Sequence, residues 1–331
     1  MEGRAIRTAE QRPSKDTIIK PGELVDVVEM TPLTLTDRRI YNLLLANAWK
    51  RIEQPVEHVI EKAALRGTHK GNERIGDSIE RLMASIVRVR VVRDGEAEIE
   101  RVALLGSNTE HENPDGLLRY HFPDKLRHII KESTVFARLQ KEIVLALSSK
   151  YALALYEMVQ KRGNLSMKHH EEFTVEELRG YLGVPKGRLT NWGNLKQKAL
   201  DPAVKEVTAL SDFEVTIEPV KEGRKVVAAR LGWKRKEWDA LAGVERELSF
   251  SKVGRKARIE GKVDQVALPG GGIRGLETSV FDKARQRFPG FDPYFVEQEW
   301  RAWASDKEPP ENPEGAFLSF FQRYAERHPL K

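Results

Sequence analysis

The 331-residue chain contains no cysteine, which excludes disulfides, thiolate metal sites and a thiol nucleophile, and fits a reducing compartment. Long apolar runs are missing too. The stretch Met1–Lys20 mixes Arg4, Arg7, Arg12 and Lys15 with acidic and polar residues and has no signal-peptide core. Nothing elsewhere approaches the roughly 20 apolar residues of a membrane span. A soluble, cytoplasmic protein with no membrane partner is expected. Enzyme signatures are equally scarce. Gly270-Gly271-Gly272-Ile273-Arg274-Gly275 lacks the Lys-Ser/Thr of a phosphate-binding loop. The adjacent pair His169-His170 is flanked by Lys168 and Glu171-Glu172, whereas a metal-dependent nickase wants His-apolar-His on a strand with a tyrosine nucleophile on a helix. No catalytic residue, metal site or cofactor is therefore expected.

What is present is charge, with 56 Lys and Arg against 50 Asp and Glu, a formal +6. That is a weak pointer to a polyanionic partner, and the distribution says more than the sum. After a polar leader, Thr31 to Asp37 ends in a helix cap, and Ile40, Leu43, Leu44 and Ala48 recur at helical spacing. A second helix is predicted from Pro55 to Leu65, and a third near Asn72 carries Ile75, Ile79, Leu82 and Met83. The period then changes to two: Val87, Val89 and Val91 alternate with Arg88 and Arg90, Asp94-Gly95 turns, and Ile99 to Leu105 returns. Helix, helix, helix, hairpin is the order of a winged helix. A strand at Leu117–Phe122 and a helix from Asp124 to Ile130 follow.

The order recurs. Lys150–Arg162 is a helix, and Thr174 with Glu177 has the capping-box spacing ahead of Leu178 and Leu182. Thr190–Leu210 is helical, with Asp201-Pro202 either kinking it or starting afresh. Phe213 to Ile217, Glu222-Gly223 and Val226 to Trp233 make a second hairpin. The predicted fold is α+β, two tandem winged-helix domains with a small helical C-terminal tail. Its expected division is a flexible leader 1–30, a first winged helix 31–138, a second 139–250, a basic Gly-rich linker 251–275 and a helical module 276–331. In that module Val296, Trp300 and Trp303 share a helical face, and Phe317, Phe320, Phe321 and Tyr324 follow at core spacing.

A helix reads duplex DNA when polar side chains reach base edges and neighbouring cations meet phosphates. Val184 to Leu200 has no acidic residue. Arg188, Asn191 and Gln197 are candidate base readers, with Thr190 and Asn194 as further hydrogen-bonding groups, and Lys186, Lys196, Lys198 and Lys205 are candidate phosphate contacts. Lys221, Arg224 and Lys225 give the second hairpin a basic tip. In the first domain Lys70, Asn72, Arg74, Ser78 and Arg81 occupy the corresponding helix, with Arg88, Arg90 and Arg93 on the hairpin, but Glu73, Asp77 and Glu80 dilute the charge. Weaker or dimerisation-dependent DNA contact is expected there. Trp192 reads as a packing anchor, and the tail aromatics as a small core rather than a single-strand stacking platform.

The run Leu33-Thr34-Leu35-Thr36-Asp37-Arg38-Arg39-Ile40-Tyr41-Asn42-Leu43-Leu44 resembles the opening helix of the iteron-binding plasmid replication initiators, the Rep proteins with tandem winged helices. Ser149 to Glu157, the Phe173 to Leu182 helix, Trp192 to Val207 and the wing at Gly223-Arg224-Lys225 resemble that family more specifically. The resemblance spans Thr31 to Trp233. It implies binding to repeated double-stranded sites (iterons) at a plasmid origin, origin opening, recruitment of a host initiator and replicative helicase, and a homodimer that represses its own promoter while the monomer is active. By position it implies that Arg188 to Lys205 is the main major-groove reader. The alternatives are a dedicated winged-helix transcriptional repressor and a DNA-nicking replication enzyme.

Overall fold

The computed structural model describes residues 7–66, 75–93, 95–113, 115–163, 168–249, 276, 278–289, 291, 293–304, 310 and 312–328. The chain divides into two units, Met1–Glu260 and Gly261–Lys331. The expected linker 251–275 lies outside the described residues.

In the first unit two strands, β1 (Thr17–Pro21) and β2 (Val28–Glu29), precede helix α1 (Leu35–Ala48). Thr34 and Asp37 cap α1 reciprocally, which satisfies two of the helix's orphan amides. Next come β3 (His58–Glu61), α2 (Lys62–Leu65), α3 (Ile75–Ala84), the hairpin β4 (Ile86–Arg93) and β5 (Glu96–Ala103), β6 (Asn108–Glu110), β7 (Leu117–Tyr120), α4 (Asp124–Glu132), β8 (Phe136–Gln140) and α5 (Lys141–Ala146). The second half repeats the order: α6 (Lys150–Arg162), β9 (His170–Thr174), α7 (Val175–Tyr181), a long broken helix, then the hairpin β10 (Phe213–Glu222) and β11 (Lys225–Arg235). Helix α10 (Trp238–Ser249) closes it.

Helix, strand, helix, helix, hairpin thus appears twice. In the second copy β9 completes the sheet in the order β10-β11-β9. In the first, β3 pairs with β7 instead, and β2 adds to the hairpin from the other side, giving β2-β4-β5.

Two expectations are corrected. The helix read over Pro55–Leu65 is a strand followed by a single turn; an apolar run this short has no period that separates helix from strand. The leader 1–30 is structured from Arg7 onward. Thr8 donates its amide to Ser133 at 2.7 Å, Trp49 donates its indole N–H to the Gln11 carbonyl at 3.0 Å, and β1 runs antiparallel to β8. Ile18 and Ile19 are both wholly buried, in different cores: Ile18 joins the second winged helix, Ile19 the first. A strand covered on both faces carries no polar alternation to announce it.

Residues 17–30 therefore act as a strap across both cores, and charges line its path. Lys20 on β1 donates to Glu157 of α6 at 2.8 Å, and Asn42 of α1 donates to the same carboxylate at 2.7 Å. Asp26 accepts from Lys161 at 2.7 Å and from Arg162 at 2.8 and 3.0 Å. Glu29 pairs with Arg38 at 2.7 Å. Burial pulls the Lys20 ammonium below its usual value, against the pull of Glu157. Burial raises the Asp26 carboxyl, but Arg162 and Lys161 outweigh it and hold the group low.

The second unit contains α11 (Thr278–Arg287), α12 (Pro293–Ala304) and α13 (Pro313–Arg327), the last capped by Asn312. Its core is Val280, Phe281, Ala284, Val296, Trp300, Ala304, Phe317 and Phe321. Trp303 does not share the burial of Val296 and Trp300: it is 48% exposed.

Candidate nucleic-acid interface

Helix α7 starts from a full capping box, with the Glu177 amide donating to Thr174 Oγ1 at 3.1 Å and the Thr174 amide donating to Glu177 at 2.9 Å. The turn that follows is unusual. Gly183, Gly187 and Leu189 all have positive φ, +66°, +77° and +48°. At Gly183 a Cβ would also meet Arg38 Nη2 at 2.5 Å, so the close approach of the first domain reinforces the need for glycine. Two cations fix the turn from below. Lys150 donates to the Gly183 carbonyl at 2.8 Å and Arg179 to the Arg188 carbonyl at 2.6 Å.

The predicted Thr190–Leu210 helix forms in three pieces: α8 (Trp192–Leu195), a π-helical turn over Lys196–Leu200, and α9 (Asp201–Leu210). Pro202 supplies the cause, because it has no N–H to donate four residues back and the ladder widens there. Asn191 is the N-cap, accepting from the Asn194 amide at 2.8 Å. That fixes its side-chain oxygen and leaves its exposed amide group as the hydrogen-bonding end. Leu195, Ala199, Leu200, Ala203, Val207 and Leu210 face the core. Asn194, Gln197, Lys198 and Lys205 share the solvent face, and Lys186, Arg188 and Thr190 are exposed in the preceding turn. Glu206 points inward and accepts from the Ser148 amide at 2.6 Å, so it does not weaken the cationic face. Lys196 is held differently from the expectation, with both Asp201 oxygens 2.8 Å from its Nζ. Trp192 is half-buried against the second core.

Beside this helix the β10-β11 hairpin carries exposed Lys221, Arg224 and Lys225 around Gly223, whose φ is +60°. The ladder shifts register between Val220 and Lys221, which re-aims the tip.

The first domain offers less than its sequence suggests. Lys70, Asn72 and Arg74 lie outside the described residues. Ser78 is wholly buried, and Arg81 makes three hydrogen bonds of 2.9 to 3.2 Å to Asp37 and one of 3.1 Å to Ser78. Ser78 is therefore corrected from a DNA contact to a support of the α1 cap, and the partly exposed Arg81 braces the same cap, because the buried Asp37 carboxylate needs a cation. Burial raises that carboxyl, and the bonds from Arg81, Thr34 and Ser78 hold it low. Arg93 is likewise engaged, by Glu98, Glu100 and Glu132. Arg88 and Arg90 are exposed, lining a groove of about 430 Å³ with Asp26, Glu98, Ile99 and Tyr181.

Lys150, Arg179 and α10 were not foreseen. The first two act on carbonyls that only the folded turn brings within reach, so no periodicity signals them. His169 and His170 are exposed, and among the described residues no cluster of His, Asp or Glu is arranged to hold a metal ion. No described helix is long and apolar enough to cross a membrane.

Two helix-turn-helix units, each with a β-hairpin wing and one with an acid-poor basic face, define a tandem winged-helix DNA-binding protein. The family models "Initiator Replication protein, WH1" and "Initiator Rep protein, WH2" match residues 17–160 and 174–233, together more than half of the chain. It belongs to this family of plasmid replication initiators. The first match opens at Thr17, so the strap is part of the family's first module. A crystal structure of domains 2 and 3 of RctB is similar at 13% identity with a TM-score of 0.37, covering 61% of this chain and 83% of that one; a likeness so low carries no argument. No curated protein matches the chain.

Proposed function

We infer that this replication initiator binds repeated duplex sites (iterons) at a plasmid origin, with the second winged helix as main reader and the first supplying dimer contacts and accessory DNA contacts. The observation that carries the reading is the exposed face of Asn194, Gln197, Lys198 and Lys205 beside the basic wing tip, with Glu206 turned inward and Asp201 paired to Lys196. Hydrogen-bonding groups flanked by cations on one helix suit base edges flanked by phosphates. Origin opening, recruitment of a host initiator and helicase, and autorepression by a dimer complete the proposal. Direct repeats of about two helical turns near the gene are the expected target. The test is a footprint on such repeats, combined with supply of the gene in trans to a replicon lacking it. Protection of the repeats with restored replication is expected; protection without replication points to a dedicated repressor, and no protection removes the reading.

A further inference from the structure

Gly183 opens the turn that carries Lys186, Arg188 and Thr190 and leads into Asn191, and the second winged helix does not hold that turn alone. Lys150, the first residue of α6, donates to the Gly183 carbonyl at 2.8 Å and also to the Leu33 carbonyl at 3.1 Å, just ahead of the α1 cap. One ammonium thus joins the turn of the second winged helix to the first helix of the first. A lysine in the first turn of a helix works against the helix dipole, and its bonds to two carbonyls compensate for that. Burial pulls the ammonium below its usual value, and Glu29 of the strap pulls it back. From the other side the strap and α1 press on the same glycine. Glu29 accepts from the Leu33 amide at 3.0 Å and pairs with Arg38, and both side chains are buried. A Cβ on Gly183 would lie 2.6 Å from Glu29 Oε2. Arg39 donates to the carbonyls of Val144 at 3.2 Å, of Leu145 at 2.8 Å and of Leu147, so α6 itself starts from a connector anchored to α1.

We propose that Lys150 is a positioning residue for base discrimination, by which the first winged helix sets the geometry of the second one's turn, a role that rests on the second winged helix being the DNA reader. Hydrogen bonds to base edges require side chains held to within about 0.5 Å, and the backbone of residues 183–190 sets where Arg188 and Asn191 stand. Phosphate contacts carry no sequence information, and the long exposed side chains of Lys186 and Lys198 can follow a phosphate through a small shift of the turn. A loosened turn therefore costs discrimination and spares unspecific affinity. Glu29 and Arg38 are too buried to touch DNA, so any effect they have on discrimination passes through Gly183 and Lys150.

The test is selection from a randomised duplex library by the full chain, followed by anisotropy on the selected duplex and on a scrambled one over a salt series. Lys150→Met keeps the stem and removes the ammonium. Its ratio of selected to scrambled affinity is expected to fall at least fivefold, about the least that one base contact discriminates. Its affinity for the scrambled duplex should stay within about twofold and its salt slope within about 0.5 of the parent, because no phosphate contact is lost. Lys150→Arg keeps donors for both carbonyls and should retain the ratio within about twofold. Glu29→Gln loosens the hold on Leu33 and Arg38 and should lower the ratio in the same direction; it decides the matter if Lys150→Met does not fold. An unchanged ratio in folded Lys150→Met, or in Glu29→Gln where Lys150→Met is unfolded, overturns the proposal. Equal losses on both duplexes also overturn it, since they mark a lysine that only supports the fold. A parent chain that selects no sequence removes the DNA-reader reading and this role with it, whereas a parent that selects a sequence its variants discriminate equally well ends this role alone.

Discussion

Replacing Asp201 by asparagine should make the protein a more salt-sensitive DNA binder, although it removes no contact with DNA. Both carboxylate oxygens of Asp201 lie 2.8 Å from Lys196 Nζ, with the two side chains 48% and 42% exposed. A solvent-screened pair of that kind contributes less than about 1 kcal/mol, so a phosphate can compete for the lysine. Freeing Lys196 adds up to one phosphate contact, and each contact steepens the plot of log affinity against log salt by about 0.9. Over a fourfold rise, from roughly 50 to 200 mM, that is an extra loss of about three- to fourfold in affinity. Lys198→Ala should do the reverse, because Lys198 is exposed on the same helix and no carboxylate among the described residues pairs with it. Anisotropy titrations on a repeat-bearing duplex and on an unrelated one, each over a salt series, read both slopes. Loss of a carboxylate from the first turn of α9 costs about 0.3 to 1 kcal/mol of stability, which a melting curve accounts for. If the asparagine variant matches the parent while Lys198→Ala is shallower, Lys196 does not face the backbone. If neither slope moves, the helix is not at the DNA.

Glu157→Ala leaves buried Lys20 without its carboxylate and should cost about 3 to 5 kcal/mol, read as a lowered urea midpoint; Lys20→Met with Glu157→Leu should recover most of it, and a single-variant loss below about 1 kcal/mol would contradict the burial of the pair. Acid should unfold the first unit in a defined window. Burial raises the carboxyls of Asp26, Asp37 and Glu171, but hydrogen bonds and cations outweigh it and hold all three below their ordinary values. A carboxyl lower in the folded than in the unfolded state stabilises above the unfolded value, about 4, and loses that contribution as pH falls through the folded one. Stability should thus decline modestly as pH falls through about 6.5, because burial holds the His58 imidazole below its ordinary value, and more steeply below about 4, with a shallower acid fall in Asp26→Asn. Removing residues 1–30 should expose apolar surface in both cores, seen as dye binding and an early melt, whereas a merely flexible leader could be removed without effect.

Elements were legible where local chemistry marked both ends. Ser149 and Gly163 bound α6, Thr174 with Glu177 starts α7, and the Val-Arg alternation over 87–91 gives β4 with its inward face correct. The helix over Thr190–Leu210 was legible in extent but not in its π-helical turn, so the pairing of Lys196 with Asp201, five residues on, was invisible. Ser78 was misassigned because a polar residue on a basic helix looks the same whether it meets solvent or a buried cap. The strap was missed because its residues are specified by partners far along the chain. No local pattern encodes Ile18 meeting Leu139 or Asp26 meeting Arg162.

That separation has a consequence for biosynthesis. Lys20 meets a partner 137 residues later and Asp26 one 136 residues later. At about 5 to 20 residues per second the ribosome takes roughly 7 to 27 seconds to make that interval. Throughout it the strap has no α6 to dock on, and Ile18 waits without its core. The first core, drawn from Ile19 to Ile130, lies within residues made earlier, but the strap's other face closes only after α6 is synthesised. The segment that leaves the ribosome early is among the last to find its place.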